Sequence, residues 1–225
     1  KPFPPKLSVA ITGTNGKTST TWYLSQICKI NNTPSKLTGT LGYFINLKKI
    51  KESTLTTPSN LDLYQFAYSS NKKNYNYISE ASSHGLHQGR FKNINIDIAA
   101  ITNISHDHLD YHKNFNSYVN CKLSLFTKIL NTKGVAVINS RLKNYKTIEK
   151  KLKKRKIKII TYGSLDVYFL KNNHLYLCIF GKKYKLENFQ LENNIQKENL
   201  ECAIACALAM NIGKKKIINC LKILK

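Results

Sequence analysis

The chain has 225 residues, 36 Lys plus Arg against 12 Asp plus Glu, a formal net charge of +24 and 42% hydrophobic residues, enough apolar material for the core of one large domain or two small ones. No apolar run approaches the roughly 20 residues of a membrane span, and the opening Lys-Pro-Phe-Pro-Pro-Lys lacks a signal peptide's apolar stretch, so a cytoplasmic protein without a membrane partner is expected. The charge alone would suggest nucleic acid, but the lysines are spread among Asn and Ile with no basic stripe interleaved with aromatics, and no nucleic-acid partner is expected.

Apolar runs alternate with amphipathic segments of helical length, the pattern of an α/β fold whose mostly parallel sheet is flanked by helices. Residues 7–12 read as the first strand, followed by a turn containing Gly13 and Gly16 and a helix over 18–31. Pro58-Ser-Asn60 resembles a helix start, with Leu61, residues 63–66 and Ala67 as the buried stripe. Residues 75–80 and 96–102 read as strands ending in polar side chains, 115–130 as a helix, and 134–139 and 157–161 as buried strands. The charge run from Lys150 to Lys156 reads as a solvated helix end. Short alternating runs over 167–186, separated by Asn-Asn and Gly-Lys-Lys, indicate a small antiparallel β flap appended to the sheet. Residues 198–210 form an Ala-rich helix stopped by Asn211-Ile-Gly213. The six cysteines include no Cys-x-x-Cys pair and are expected to be reduced structural thiols, with Cys202 and Cys206 on one core-facing helical face.

Chemistry enters at Gly13-Thr-Asn-Gly16-Lys17-Thr18. Strand, glycine-rich loop, Lys-Thr and helix make a cradle in which backbone N–H groups and a helix N-terminus face an anion. Lys17 would reach the terminal phosphates of a nucleotide, and the Thr18 hydroxyl would coordinate Mg2+. The usual spacing Gly-x-x-x-x-Gly-Lys-[Ser/Thr] is not met, because Ile11 occupies the position of the first glycine. Acidic residues are scarce, which makes Glu80 informative: it falls where a strand ends, at the carboxyl edge of the sheet, and Asp107 and His108 follow another strand at the same edge. His84, His87, His106, His108 and His112 cluster in the sequence and leave a zinc site open, although oxygen ligands suit the expected Mg2+ better.

Taken together these motifs resemble the Mur ligase family, the ATP-dependent amide-forming enzymes of peptidoglycan assembly, over nearly the whole chain as the central ATP-binding domain (1–225). Gly-Thr-Asn-Gly-Lys-Thr is similar to the family's phosphate loop, the string from Thr102 to His112 to its second motif, and Asn199 before an Ala-rich helix to its adenine-side motif. Glu80-Ala-Ser-Ser-His-Gly-Leu-His-Gln-Gly-Arg90 and Thr56-Thr57 resemble the branch that adds the third peptide residue to UDP-N-acetylmuramoyl-L-alanyl-D-glutamate. The resemblance implies that Gly13, Thr14, Asn15, Gly16, Lys17, Thr18 and Ser19 hold ATP phosphates and Asn199 the adenine side. It implies that Thr56, Thr57, Ser82, Gln88 and Arg90 contact the nucleotide-sugar dipeptide. Thr18, Glu80, His108 and Lys122 would hold Mg2+, Lys122 as a carbamate, an anionic oxygen donor where an ammonium would repel the ion. Lys17, Glu80, His108 and Lys122 would then be catalytic in phosphoryl transfer to the D-glutamate carboxylate, followed by attack of a diamino acid, diaminopimelate or lysine, on the acyl phosphate.

The family also implies an N-terminal uridine-binding and a C-terminal amino-acid-binding domain that this sequence does not contain, and a monomer that binds ATP weakly without turnover. His106 stands where the family typically has Arg. A folylpolyglutamate synthase-like ligase shares the glycine loop but is not expected to carry Ser-Ser-His-Gly-Leu. A kinase or GTPase would want the missing first glycine or an Asn-Lys-x-Asp reader. A non-catalytic basic binding domain would show affinity falling steeply with salt.

Overall fold

The computed structural model describes residues 2–224 apart from 69–74, 108 and 188. Ser8–Thr12 (β1) leads through the glycine loop into Lys17–Ile30 (α1), then Ser35–Gly39 (β2), Gly42–Ile45 (β3), Lys48–Lys51 (β4) and Asn60–Tyr68 (α2). Asn76–Glu80 (β5), Ser83–His87 (α3), Ile96–Ile101 (β6), Leu109–His112 (α4) and Phe115–Ser124 (α5) follow, and a π-helical turn, Leu125–Ile129, runs into Leu130–Asn139 (β7). The chain continues as Tyr145–Lys154 (α6), Lys158–Tyr162 (β8), the meander Val167–Lys171 (β9), Leu175–Ile179 (β10) and Lys182–Leu186 (β11), then Asn194–Ala209 (α7) and Lys214–Leu221 (α8).

Among the described residues, eleven strands form one sheet in the order β11-β10-β9-β8-β7-β6-β1-β5-β2-β3-β4. The centre, from β2 to β8, is parallel, and antiparallel strands extend both edges. β1 and β5 are buried along their whole length, as strands covered on both faces must be. The two-residue pleat divides β1: Val9 and Ile11 enter a core with Leu24, Ile27 and the Ala-rich face of α7, while Ala10 enters a second core with Leu63, Phe126 and Leu152. Cys202 and Cys206 are buried in the first core, and all six cysteines are free thiols.

Several expectations need correction. The helical run expected over 115–130 is present, as α-helix over Phe115–Ser124 and π-helix over Leu125–Ile129, but β7 starts at Leu130, four residues before the expected strand. Leu61 is 64% exposed and is not part of the α2 stripe, where Leu63 and Ala67 carry the burial. The antiparallel flap is present as expected, β9 to β11 joining the main sheet where Val167 pairs with Tyr162. α7 starts at Asn194, four residues early, because the Asn193 side chain caps the Gln196 N–H at 2.8 Å. The strands β2 to β4 and the helices α3, α4 and α8 carry no expectation from sequence. In β2 the reason is local: Lys36 is buried inside a strand, its ammonium donating to the Phe66 carbonyl at 2.7 Å and lying 5.1 Å from that ring's centroid, so the residue that marks a solvated position elsewhere marks an interior one here.

Candidate active site

β1 ends beside both β5 and β6, with Ile11 opposite Glu80 and Thr12 opposite Ile101. The loop leaving β1 therefore emerges between the carboxyl ends of two neighbours, where open parallel sheets leave a crevice. Gly13, at φ 145°, has no room for a side chain: a Cβ there would stand 1.8 Å from Thr102 Oγ1. Gly16, at φ 83°, caps α1 in the left-handed region, and a Cβ there would meet Asn199 Oδ1 at 2.1 Å. The loop is thus pressed between the end of β6 and α7. It is pinned by Thr14 N–H donating to Asn103 O at 3.0 Å, Asn15 N–H to Asn103 Oδ1 at 2.9 Å, and Thr102 Oγ1 to Asn15 O at 2.6 Å. α1 starts without a side-chain cap and without an acidic residue in its first turn, which leaves its N-terminal field open to an anion. Ser19 lies exposed in that turn.

Two lysines converge on one carbonyl. Lys17 Nζ donates to Gly13 O at 2.9 Å and Thr14 O at 2.8 Å, and Lys122 Nζ reaches the same Gly13 O at 2.8 Å. Lys122 is 1% exposed, with the Tyr118 ring centroid 4.4 Å from its Nζ. Burial, then the charge of Lys17, pushes the Lys122 ammonium down to about 7. Burial also lowers Lys17, against the opposing pull of Glu80 and Asp107.

Glu80 closes the other side. Its Oε2 accepts from Thr18 Oγ1 at 2.9 Å and its Oε1 from Thr40 N–H at 2.9 Å. Burial raises its carboxyl above the usual range, opposed by the Thr40 and Thr18 hydrogen bonds and by Lys17. Thr18 hydroxyl and Glu80 carboxylate are hard oxygen donors meeting at the phosphate loop, and they suit Mg2+. The Lys122 amine does not suit it, whereas a carbamate would. His108 lies outside the described residues. No His/Cys/Asp/Glu group fit for a metal occurs among the described residues. His84, His87 and His112 instead pack around Tyr111, whose OH meets His87 Nδ1 at 2.9 Å, and His106 stacks on Phe115.

Beside the lysines opens a cleft of about 320 Å³ that gathers Lys17, Thr56, Thr57, Ser82, Gln88, Arg90 and Lys122. Thr57 is a brace: its hydroxyl donates to Glu80 O at 2.8 Å and accepts from Ser82 N–H at 2.9 Å, and its carbonyl accepts from Arg90 Nη1. Gln88 Oε1 holds Arg90 Nε at 3.0 Å, so the guanidinium is fixed from two sides. Thr56 Oγ1 accepts from Thr40 Oγ1 at 3.2 Å. Asn199 is buried against Gly16 on the opposite flank.

Thr40 and Tyr118 escaped the sequence reading. Thr40 sits in the segment whose strands carry no sequence signal. Tyr118, whose OH meets Thr14 Oγ1 at 2.9 Å, could have been found from its spacing of four before Lys122, which puts both on one helix face.

Residues 11–221 match the Mur ligase middle domain. The UDP-N-acetylmuramoyl-L-alanyl-D-glutamate–2,6-diaminopimelate ligase of Rickettsia bellii is 32% identical over 231 residues, covering 98% of this chain and 48% of that protein. A solved UDP-N-acetylmuramoyl-L-alanyl-D-glutamate–2,6-diaminopimelate ligase superposes with a TM-score of 0.84 at 28% identity, over 100% of this chain and 47% of that one. Mycobacterium tuberculosis folylpolyglutamate synthase complexed with ADP and AMPPCP shares the fold, with a TM-score of 0.69 at 17% identity over 99% of this chain and 59% of that one. The chain spans about half the length of the curated relatives it matches.

Proposed function

The chain belongs to the Mur ligase family, over the span of the middle domain, and on that premise we propose that it is the ATP-binding part of a ligase joining 2,6-diaminopimelate to UDP-N-acetylmuramoyl-L-alanyl-D-glutamate. The names of the similar ligases support the substrates. The observation that carries the reading is the 2.9 Å hydrogen bond between Thr18 and Glu80 beside Lys17, which puts oxygen donors for a divalent ion against a phosphate cradle. Gly13 to Ser19 hold the phosphates, Asn199 lies towards the adenine, and Thr18, Glu80, His108 and carbamoylated Lys122 hold Mg2+. When bound, Mg2+ supplies charge neutralisation at the phosphate oxygens.

Lys17 offsets the charge on the γ-phosphoryl group while Arg90, fixed by Thr57 and Gln88, orients the substrate carboxylate. The bond from the γ-phosphorus to the bridging oxygen of ADP breaks as one forms to a carboxylate oxygen, and the product is an acyl phosphate. The amine then attacks the acyl carbon, phosphate leaves, and the amine loses a proton. An amine titrating near 7 is substantially neutral at physiological pH and can attack CO2, forming an N–C bond with loss of a proton. The site's second cation thereby becomes an anion.

NMR titration of the 15N-labelled chain tests the substrate assignment. UDP-N-acetylmuramoyl-L-alanyl-D-glutamate is expected to shift the amides of Thr57, Ser82 and Arg90, and Arg90→Ala to weaken binding at least tenfold. A folylpolyglutamate moving those signals while the nucleotide-sugar leaves them still would overturn the reading.

A further inference from the structure

Five serine and threonine residues line the cleft beside Lys17: Thr14, Thr56, Thr57, Ser82 and Ser83. Four are committed within the protein: Thr14 to Tyr118, Thr56 to Thr40, Thr57 to Glu80 and Ser82 to the Gly85 N–H. Ser83 is 2% exposed, and its Oγ has no hydrogen-bond partner. A buried hydroxyl left unpaired costs stability and calls for a reason. Its backbone is anchored, because Cys121 Sγ donates to Ser83 O at 3.0 Å, tying the start of α3 to the residue beside Lys122. Only the χ1 rotor remains, with three staggered positions. The cleft wall carries the cations Lys17 and Arg90 beside one carboxylate, Asp107, and an anionic occupant in want of donors suits it.

We propose that Ser83 is a substrate-binding residue, its hydroxyl donating a hydrogen bond to an anionic oxygen of the acceptor substrate, the carboxylate before phosphoryl transfer and the acyl phosphate after it. This rests on the functional reading above and adds a residue to it. A buried hydroxyl at the cleft wall with no partner inside the protein forms its bond only with the substrate, after a turn about χ1, so its contribution goes to binding and not to folding.

The opposite demands on stability and affinity give the test. Ser83→Ala removes an unpaired buried group, and the melting temperature is expected to stay level or rise. NMR titration with UDP-N-acetylmuramoyl-L-alanyl-D-glutamate should show binding about tenfold weaker, the loss of one hydrogen bond to a charged group, with ATP affinity unchanged. Equal dipeptide affinity in wild type and Ser83→Ala overturns the inference alone. A lowered melting temperature with unchanged affinity does the same, by showing the hydroxyl to be structural. Failure of the wild type to bind the dipeptide overturns the functional reading and this inference with it.

Discussion

Lys17 and Lys122 share the Gly13 carbonyl, and burial first, then the charge of Lys17, lowers the Lys122 ammonium to about 7. Lys17 is lowered too, but Glu80 and Asp107 oppose the effect of its burial. 13C-bicarbonate should therefore give a carbamate signal in the wild-type chain that Lys122→Arg, permanently charged, abolishes. A signal persisting in Lys122→Arg would place the modification elsewhere. Glu201, on α7, is another buried ionisable group. It accepts from Phe169 N–H at 2.8 Å and from Arg141 at 3.1 Å, yet burial outweighs Arg141 and raises its carboxyl from 4.5 to about 7. Between those values the folded protein keeps a proton that the unfolded chain has released, so this group's contribution to stability falls as pH rises from 4.5 to 7. Urea unfolding at pH 5 and pH 7 should show a smaller loss in Glu201→Gln than in wild type; an identical loss in both would exclude Glu201 as a source.

At the level of elements, the glycine loop and the π turn both depart from regular backbone geometry near the site. Gly16→Ala places a methyl against Asn199 at a positive φ, and a cost of about 1 to 3 kcal/mol is expected from the backbone alone. Asn199→Gly in the same chain should recover the steric part of that loss in denaturant unfolding, and no recovery would mean the contact is soft. The π turn is held by Arg155, which donates to Phe126 O and, at 3.4 Å, to Leu130 O. Arg155→Ala is expected to destabilise by about 1.5 to 3 kcal/mol. Legibility in sequence followed the same division. β1, α1, β5, β6 and α7 were readable because burial on both faces writes continuous apolar runs and the loop chemistry is local. The π turn was not, since five residues of helical composition do not reveal a widened turn. Nor was β2, where Lys36 hides in an aromatic setting. Among the proposed site residues, Lys17 and Glu80 could be named from motif and strand position and Arg90 through the family resemblance alone, whereas Thr40 could not be named, because its bond to Glu80 joins residues forty apart across a strand pair that the sequence concealed.

The whole molecule is a wide sheet with two open edges and a charge of +24. Both edges carry lysines: Lys48, Lys49 and Lys51 on β4, and Lys182, Lys183 and Lys185 on β11. Charged edge strands resist pairing with another copy. Replacing the three β4 lysines with threonine should raise light scattering with concentration while leaving the secondary structure intact, and unchanged scattering would remove the edge charges from that role. The carboxyl edge of the sheet is where the central claim lies, that the loop after β1 and the carboxylate ending β5 serve one magnesium–nucleotide. ATP titrations with and without Mg2+ on wild type, Lys17→Ala and Glu80→Gln test it directly. Mg2+ should tighten ATP binding to the wild type, Lys17→Ala should weaken it at least tenfold, and Glu80→Gln should keep metal-free binding but lose the gain from Mg2+. A Glu80→Gln chain with the full Mg2+ gain would contradict the account.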